Sequence, residues 1–148
     1  MNIDIAPTLI DLAGVNKPKA MQGQSFKAEL LKPETTNGRD AIYYRYWLHM
    51  AHHYNPAHYG IRTEDYKLVF FYGLPIKAGS KKTPATPPYW EMYDMKNDVL
   101  EMNNIYHDKK YREIREQLKI QLLALKDELG DTDEDNTALM AIRQKHWN

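Results

Sequence analysis

Tyr59-Gly60-Ile61-Arg62-Thr63-Glu64-Asp65-Tyr66-Lys67-Leu68-Val69-Phe70-Phe71-Tyr72 decides the fold. Two runs dense in aromatic and β-branched residues flank Glu64-Asp65. This pattern predicts a hairpin, with strands over 59–63 and 66–72. Upstream, Ala41-Ile42-Tyr43-Tyr44-Arg45-Tyr46-Trp47-Leu48 has the same composition and reads as another strand. Downstream, Trp90-Glu91-Met92-Tyr93-Asp94 reads as a short fourth strand. His49 to His58 is irregular, broken by Asn55-Pro56, and 73–88 is a long loop rich in Pro and Lys.

Beyond the strands lies the clearest helix. Tyr111, Ile114, Leu118, Leu122, Leu125 and Leu129 form one apolar stripe at spacings of three and four. Asp108 is the expected N-cap and Gly130 the stop. Asp131-Thr132-Asp133-Glu134-Asp135 reads as an acidic loop, and Ala138 to Lys145 as a short closing helix. At the other end, Asp4 to Gly14 reads as a helix of two to three turns, with Asp4 as N-cap and Pro7 in the first turn. Its Ile5, Leu9 and Leu12 share a face. So short a helix is marginal alone and must pack on something. Ser25 is placed to cap a further short helix, Phe26 to Leu31, ended by Pro33. The sum is an α+β unit: about four antiparallel strands packed against one long C-terminal amphipathic helix, preceded by a short helix.

The 148 residues carry 20 Lys+Arg and 20 Asp+Glu, a formal net charge of zero. Balanced charge argues against a general nucleic-acid binder, so no nucleic-acid partner is expected. No stretch approaches the ~18 apolar residues of a membrane span, and no signal peptide is visible in the first residues. There is no cysteine, which excludes thiolate zinc sites, iron–sulfur clusters and a Cys nucleophile. Of the aromatic residues, 11 are Tyr, which suits half-buried sheets and sugar- or partner-facing surfaces.

Phosphate-binding glycine loops and a GxSxG elbow are absent. Four histidines cluster at His49, His52, His53 and His58. They read as a substrate-contacting loop, a metal site, or solvated and structurally bonded loop residues. The spacing lacks the HExxH pair of a metalloprotease, and no Asp or Glu lies between Asp40 and Glu64 to complete a shell locally. Arg62, in a strand before a tight turn, reads either as a clamp for a sulfate or carboxylate or as half of a structural ion pair. The aromatic run at 43–47 offers a sugar platform, although alternation sends half of it into the core.

Several segments resemble type I sulfatases. Asp4-Ile5-Ala6-Pro7-Thr8-Leu9 with Leu12-Ala13-Gly14 is similar to their DIxPTLLxLAG segment. Gln22-Gly23-Gln24-Ser25-Phe26 resembles the turn that follows it. Tyr59-Gly60-Ile61-Arg62-Thr63 with Tyr66-Lys67-Leu68 resembles their G(V/I)RTxxYKLI hairpin. Trp90 to Met95, with Asn97-Asp98 and Glu101-Met102-Asn103-Asn104, resembles ELYDLxxDPxExxNL. Four weak pieces in the family's order, over roughly residues 3–130, make a strong match. Val99 stands where the family has Pro, a change expected to alter only the turn.

The family's C/S-x-P-x-R nucleophile motif is absent from the sequence. The resemblance therefore implies the C-terminal end of a glycan- or aryl-sulfatase-like sulfuric ester hydrolase of the alkaline phosphatase-like superfamily. Residues 1–40 would be the end of the large α/β catalytic domain plus a connector, 41–130 the C-terminal subdomain, and 131–148 a tail. No catalytic residue and no metal ligand carries over onto this sequence. Calcium and formylglycine are implied for the full-length enzyme only, and the chain alone is expected to be inactive. The implied partners are the N-terminal catalytic domain and a sulfated sugar, with His58, Arg62, His52 and His53 as substrate-binding candidates. Without that domain, exposed apolar surface and self-association are expected. A periplasmic or secreted location follows from the family alone. The alternatives are a stand-alone carbohydrate-binding or protein-interaction module and a metal-binding domain built on the His cluster.

Overall fold

The computed structural model describes residues 1–34, 38–51, 53–76 and 83–148. They fall into two units, Met1–Asp40 and Ala41–Asn148.

Alternation in the aromatic runs builds the second unit. β1 (Ala41–Tyr46), β2 (His58–Thr63), β3 (Tyr66–Phe71) and β4 (Tyr89–Asp94) form one antiparallel sheet in the order β1-β2-β3-β4. The register puts Tyr43, Ile61, Leu68 and Met92 in one cross-strand row, and Arg45, Tyr59, Phe70 and Trp90 in the next. These rows face the core. Tyr59, Ile61, Leu68, Phe70 and Met92 are fully buried there with Leu118, Leu122 and Leu139. β1 ends at Tyr46 rather than at Leu48, because Tyr46 already pairs with His58, the first residue of β2. Trp47 turns aside to cover the Arg45 guanidinium, 3.9 Å from its ring centre.

The stripe at 111–129 packs on that face. Asp108 accepts from the backbone N–H of Lys110 (2.9 Å), and a 3₁₀ turn over Lys109–Tyr111 leads into α3, Arg112–Glu128. Gly130, at φ +65°, ends the helix. Its N–H bonds to Asp127 O and that of Asp131 to Lys126 O, the paired closure that a left-handed residue permits. A closing helix, Thr137–His146, is capped by Asn136, which accepts from Leu139 N at 3.0 Å. It brings Trp147 edge-on to Trp90 (4.9 Å), while Trp90 Nε1 donates to His146 O at 2.9 Å.

β4 is an edge strand, and its backbone is closed from outside. Ile105 N donates to Met92 O, Met92 N donates to Asn104 Oδ1, and Asn104 Nδ2 donates to Trp90 O. Pairing of this kind removes the template an open edge offers to other chains.

The first unit is organised the opposite way round. A 3₁₀ turn over Asn2–Asp4 leads into α1 (Ile5–Leu12), and α2 spans Lys27–Leu31. Asp4 stands at the N-cap position but makes no side-chain cap. Its carboxylate instead takes the backbone N–H of Gln24 (2.8 Å) and the guanidinium of Arg39 (2.5 Å). Thr8 is buried beside it and accepts from Phe26 N. Ser25 bridges Asp11 and Lys27 N, which starts α2 one residue later than Phe26. The inward face of α1 thus carries Pro7 and Thr8, with the Asp4 carboxylate at its start. Ile5, Leu9 and Leu12, the apolar stripe, are 54%, 61% and 47% exposed.

Candidate functional site

The second face of the sheet carries the sequence candidates. Both α3 and the closing helix pack on the core face, through Leu118, Leu122 and Leu139. Strand pleating puts His58, Gly60 and Arg62 on the other. The register sets them in three rows: Tyr46, His58, Phe71 and Tyr89; then Tyr44, Gly60, Val69 and Glu91; then Ile42, Arg62, Lys67 and Tyr93.

The first row is a ladder of rings across all four strands. Tyr46 stacks on His58 (centres 5.4 Å apart), His58 tilts on Phe71 (4.7 Å), and Phe71 stacks on Tyr89 (4.3 Å). His58 Nδ1 lies 2.8 Å from Pro56 O, a group that can only accept. The proton therefore sits on Nδ1, and Nε2 is the lone-pair side of a neutral ring. Burial holds the His58 pKa below its ordinary value. In that state Nε2 can accept from a sugar hydroxyl and cannot donate to a sulfate.

The middle row depends on Gly60. A Cβ there would lie 2.6 Å from Leu68 O and 2.7 Å from Tyr44 Oη, so the Tyr44 phenol lies across the space the glycine leaves open. Tyr44 Oη is buried and has no hydrogen-bond partner among the described residues. Burial first, and the Glu101 and Glu91 carboxylates next, push its pKa up, so it remains a neutral donor.

In the third row Arg62 is exposed and makes no ion pair among the described residues. Lys67 beside it pairs with Glu101 at 2.5 Å. A guanidinium held on a strand with its fork free suits bidentate capture of a sulfate or carboxylate.

The other histidines do not join this strip. His49 is fully buried and both of its nitrogens are engaged: Ala57 N donates to Nδ1 (3.1 Å), and Nε2 lies 3.0 Å from Pro84 O. It ties two loops together. His53 is exposed on the loop before β2, and His52 lies outside the described residues. Among the described residues no group of three His, Asp or Glu side chains converges on a metal position. With no cysteine and no C/S-x-P-x-R motif the sequence does not fit formylglycine, the described residues do not fit calcium, and no step of ester hydrolysis is assigned to them. Lys67, Tyr89 and Glu91 carry no sequence signal beyond strand alternation, and the pairing register is what brings them to this face.

The most buried charges lie elsewhere. Asp133 accepts from Lys126 Nζ (3.0 Å), Arg143 (3.0 Å) and Tyr59 Oη (3.1 Å), with Arg45 at 3.7 Å. Asp131 takes Arg45 and the Tyr43 hydroxyl. Burial pushes the Lys126 ammonium below its ordinary pKa and Asp133 pulls the other way. The acidic stretch thus locks the C-terminal segment to the sheet.

Comparison with known proteins bears on the family and the fold. The model of the family described as N-sulphoglucosamine sulphohydrolase, C-terminal, matches residues 1–128. An N-acetylglucosamine-6-O-sulfatase of Bacteroides thetaiotaomicron is 41% identical over 145 residues, 94% of this chain and 24% of that protein. A protein solved in complex with its substrate D-glucosamine-2-N,6-O-disulfate is 38% identical, with a TM-score of 0.76 over 93% of this chain and 26% of its own. The phosphonate monoester hydrolase of Agrobacterium radiobacter shares the fold at 24% identity and a TM-score of 0.61, over 84% of this chain and 24% of its own. The class is that of the C-terminal domain of sulfatases. The chain belongs to the N-sulphoglucosamine sulphohydrolase C-terminal family. It spans about a quarter of the length of the relatives it matches.

Proposed function

We propose that this chain is the C-terminal domain of a sulfuric ester hydrolase acting on sulfated amino sugars. The nucleophile and metal belong to a catalytic portion outside these residues. The observation that carries the reading is the family match over 1–128, joined to the inverted burial of α1. A helix that turns Thr8 inward and leaves Ile5, Leu9 and Leu12 exposed is built to pack on a body beyond its own unit. The substrate class follows from the relatives, named for a 6-O-sulfated N-acetylglucosamine and for a disulfated glucosamine. Arg62 supplies the anion contact, and His58 accepts from a neighbouring hydroxyl. His53, exposed on the loop before β2, is a further contact, and His52 belongs to the same loop by sequence. A periplasmic or secreted location is part of the same proposal and rests on the family.

Two experiments test it. The pure chain should not hydrolyse an aryl sulfate or glucosamine-6-sulfate, and turnover abolished by EDTA would refute the assignment of chemistry. A chimera in which this chain replaces the matched stretch of the B. thetaiotaomicron N-acetylglucosamine-6-O-sulfatase should fold and desulfate. Arg62→Ala in that chimera should raise KM for the sulfated sugar; an unchanged KM removes Arg62 from the site.

A further inference from the structure

Between β4 and the 3₁₀ turn before α3, the chain raises three large apolar side chains into solvent. Val99, Leu100 and Met102 are 72%, 81% and 75% exposed. The flanking residues show that burial was available, since Tyr106 and Met92 are buried on either side. The loop is also pinned. The Asp98 carboxylate accepts from Met102 N (3.0 Å) and Asn103 N (2.7 Å), and Glu101 N donates to Asp98 O at 3.1 Å. Asp94 holds the preceding turn through Lys96 N and Asn97 N, both at 3.1 Å. Glu101 adopts φ +56°, a conformation few side chains favour, and its carboxylate is tied back to Lys67 on the second face of the sheet. The Glu101 charge is therefore paired with Lys67 away from the tip, and the Asp98 carboxylate is turned onto the loop's own backbone N–H groups. The result is a fixed apolar knob that loses little conformational freedom on contact.

We propose that this knob is a docking element for the catalytic portion of the sulfatase. The inference rests on the reading above and deepens it by naming a surface. The occupant is argued from length and chemistry. About three-quarters of each relative lies outside the stretch this chain matches, so a large body of protein is available to cover the knob. Three exposed apolar side chains within four residues, with the intervening Glu101 drawn off to Lys67, fit an apolar recess in a protein. They offer nothing to an anionic sugar, which needs donors and cations.

Met102 is its own reporter, because thioether oxidation tracks exposure. Pulsed peroxide oxidation followed by peptide mass spectrometry would compare the 148-residue chain with the chimera, using the buried Met92 as internal reference. Met102 should oxidise readily in the free chain and be slowed roughly tenfold or more in the chimera. Leu100→Asp should leave the unfolding temperature of the free chain unchanged while releasing the domain to limited proteolysis in the chimera. An active chimera in which Met102 oxidises as fast as in the free chain overturns the docking proposal and leaves the proposed function standing. Protected Met102 in an inactive chimera supports docking and counts against the proposed function. A chimera that fails to assemble counts against both. If Met102 is already protected in the free chain, and sedimentation shows that chain to be dimeric, the occupant is a second copy and the proposal falls.

Discussion

Substituting Asp133 tests whether the C-terminal segment is locked by charge. The Asp133 side chain is fully buried, and so is Lys126, whose ammonium lies 3.9 Å from the centre of the Tyr59 ring. Asp133→Asn keeps the size and removes the charge. Lys126 and Arg143 then face an amide, and the Lys126 cation keeps no direct ion pair among the described residues, with Asp131 acting on it only from farther off. Removing one partner of a buried pair costs about 3–5 kcal/mol. Asn retains a carbonyl acceptor, so the lower end, roughly 3 kcal/mol, is expected. A domain of this size has about 5–15 kcal/mol in all, so the loss is a large share of it. With a urea slope of about 2 kcal/mol per molar, the midpoint falls by about 1.5 M. Equilibrium unfolding followed by tryptophan fluorescence reads this directly, since Trp90 and Trp147 lie where the closing helix docks. Asp131→Asn is the comparison: its side chain is more exposed, and Arg45 keeps Asp133 nearby, so about 1 kcal/mol is expected. A loss below about 1 kcal/mol for Asp133→Asn, or equal losses for the two variants, would refute the idea of a buried lock.

Gly60→Ala should cost about 2 kcal/mol, because the new methyl meets Leu68 O and the Tyr44 hydroxyl, whereas Gly38→Ala, with open space around it, should change little; equal effects in thermal unfolding would contradict the packing of Tyr44. Tyr44→Phe removes an unpartnered buried hydroxyl and should leave the free chain as stable or up to about 1 kcal/mol more so; a loss of that size would reveal a bond to Oη. Burial pushes the Tyr106 pKa up to about 12 and those of Tyr59 and Tyr43 higher still. These groups are raised on folding, so their contribution is complete below the unfolded value near 10 and is lost as pH climbs through the folded values. Tyrosinate absorbance of the native chain should therefore lag that of the urea-unfolded chain above pH 10, and coincident curves would refute the burial. Although burial opposes it, the Arg39 and Gln24 bonds hold the Asp4 pKa well below its ordinary value. That stabilisation is present above about pH 4 and is lost as the pH falls towards the folded pKa, so hydrogen exchange in residues 1–34 should quicken there first in the wild type and not in Asp4→Asn.

Much of the fold is legible in short windows. Periodicity two over 59–72 and the heptad-like stripe over 111–129 are local patterns, and each names its element because backbone geometry fixes which side chains share a face. The family is legible for the same reason: its four motifs are contiguous pieces whose order survives in one dimension. Site chemistry is less so. His49 and His58 look alike in sequence, yet one is spent tying Ala57 to Pro84 and the other stands in the ring ladder of the sheet with only Nδ1 bonded among the described residues.

The sequence by itself determined the strands, the long helix, the absence of a nucleophile motif and the membership of a sulfatase family. Tertiary structure alone decided which aromatic residues line the second face, because that depends on cross-strand register. It decided that α1 turns its apolar stripe outward, because Asp4 finds Arg39 thirty-five residues away. And it decided that an acidic loop is a buried lock, because Asp133 meets Tyr59 across 74 residues of chain. Contacts of that range are set by how whole elements pack, and no local pattern encodes them.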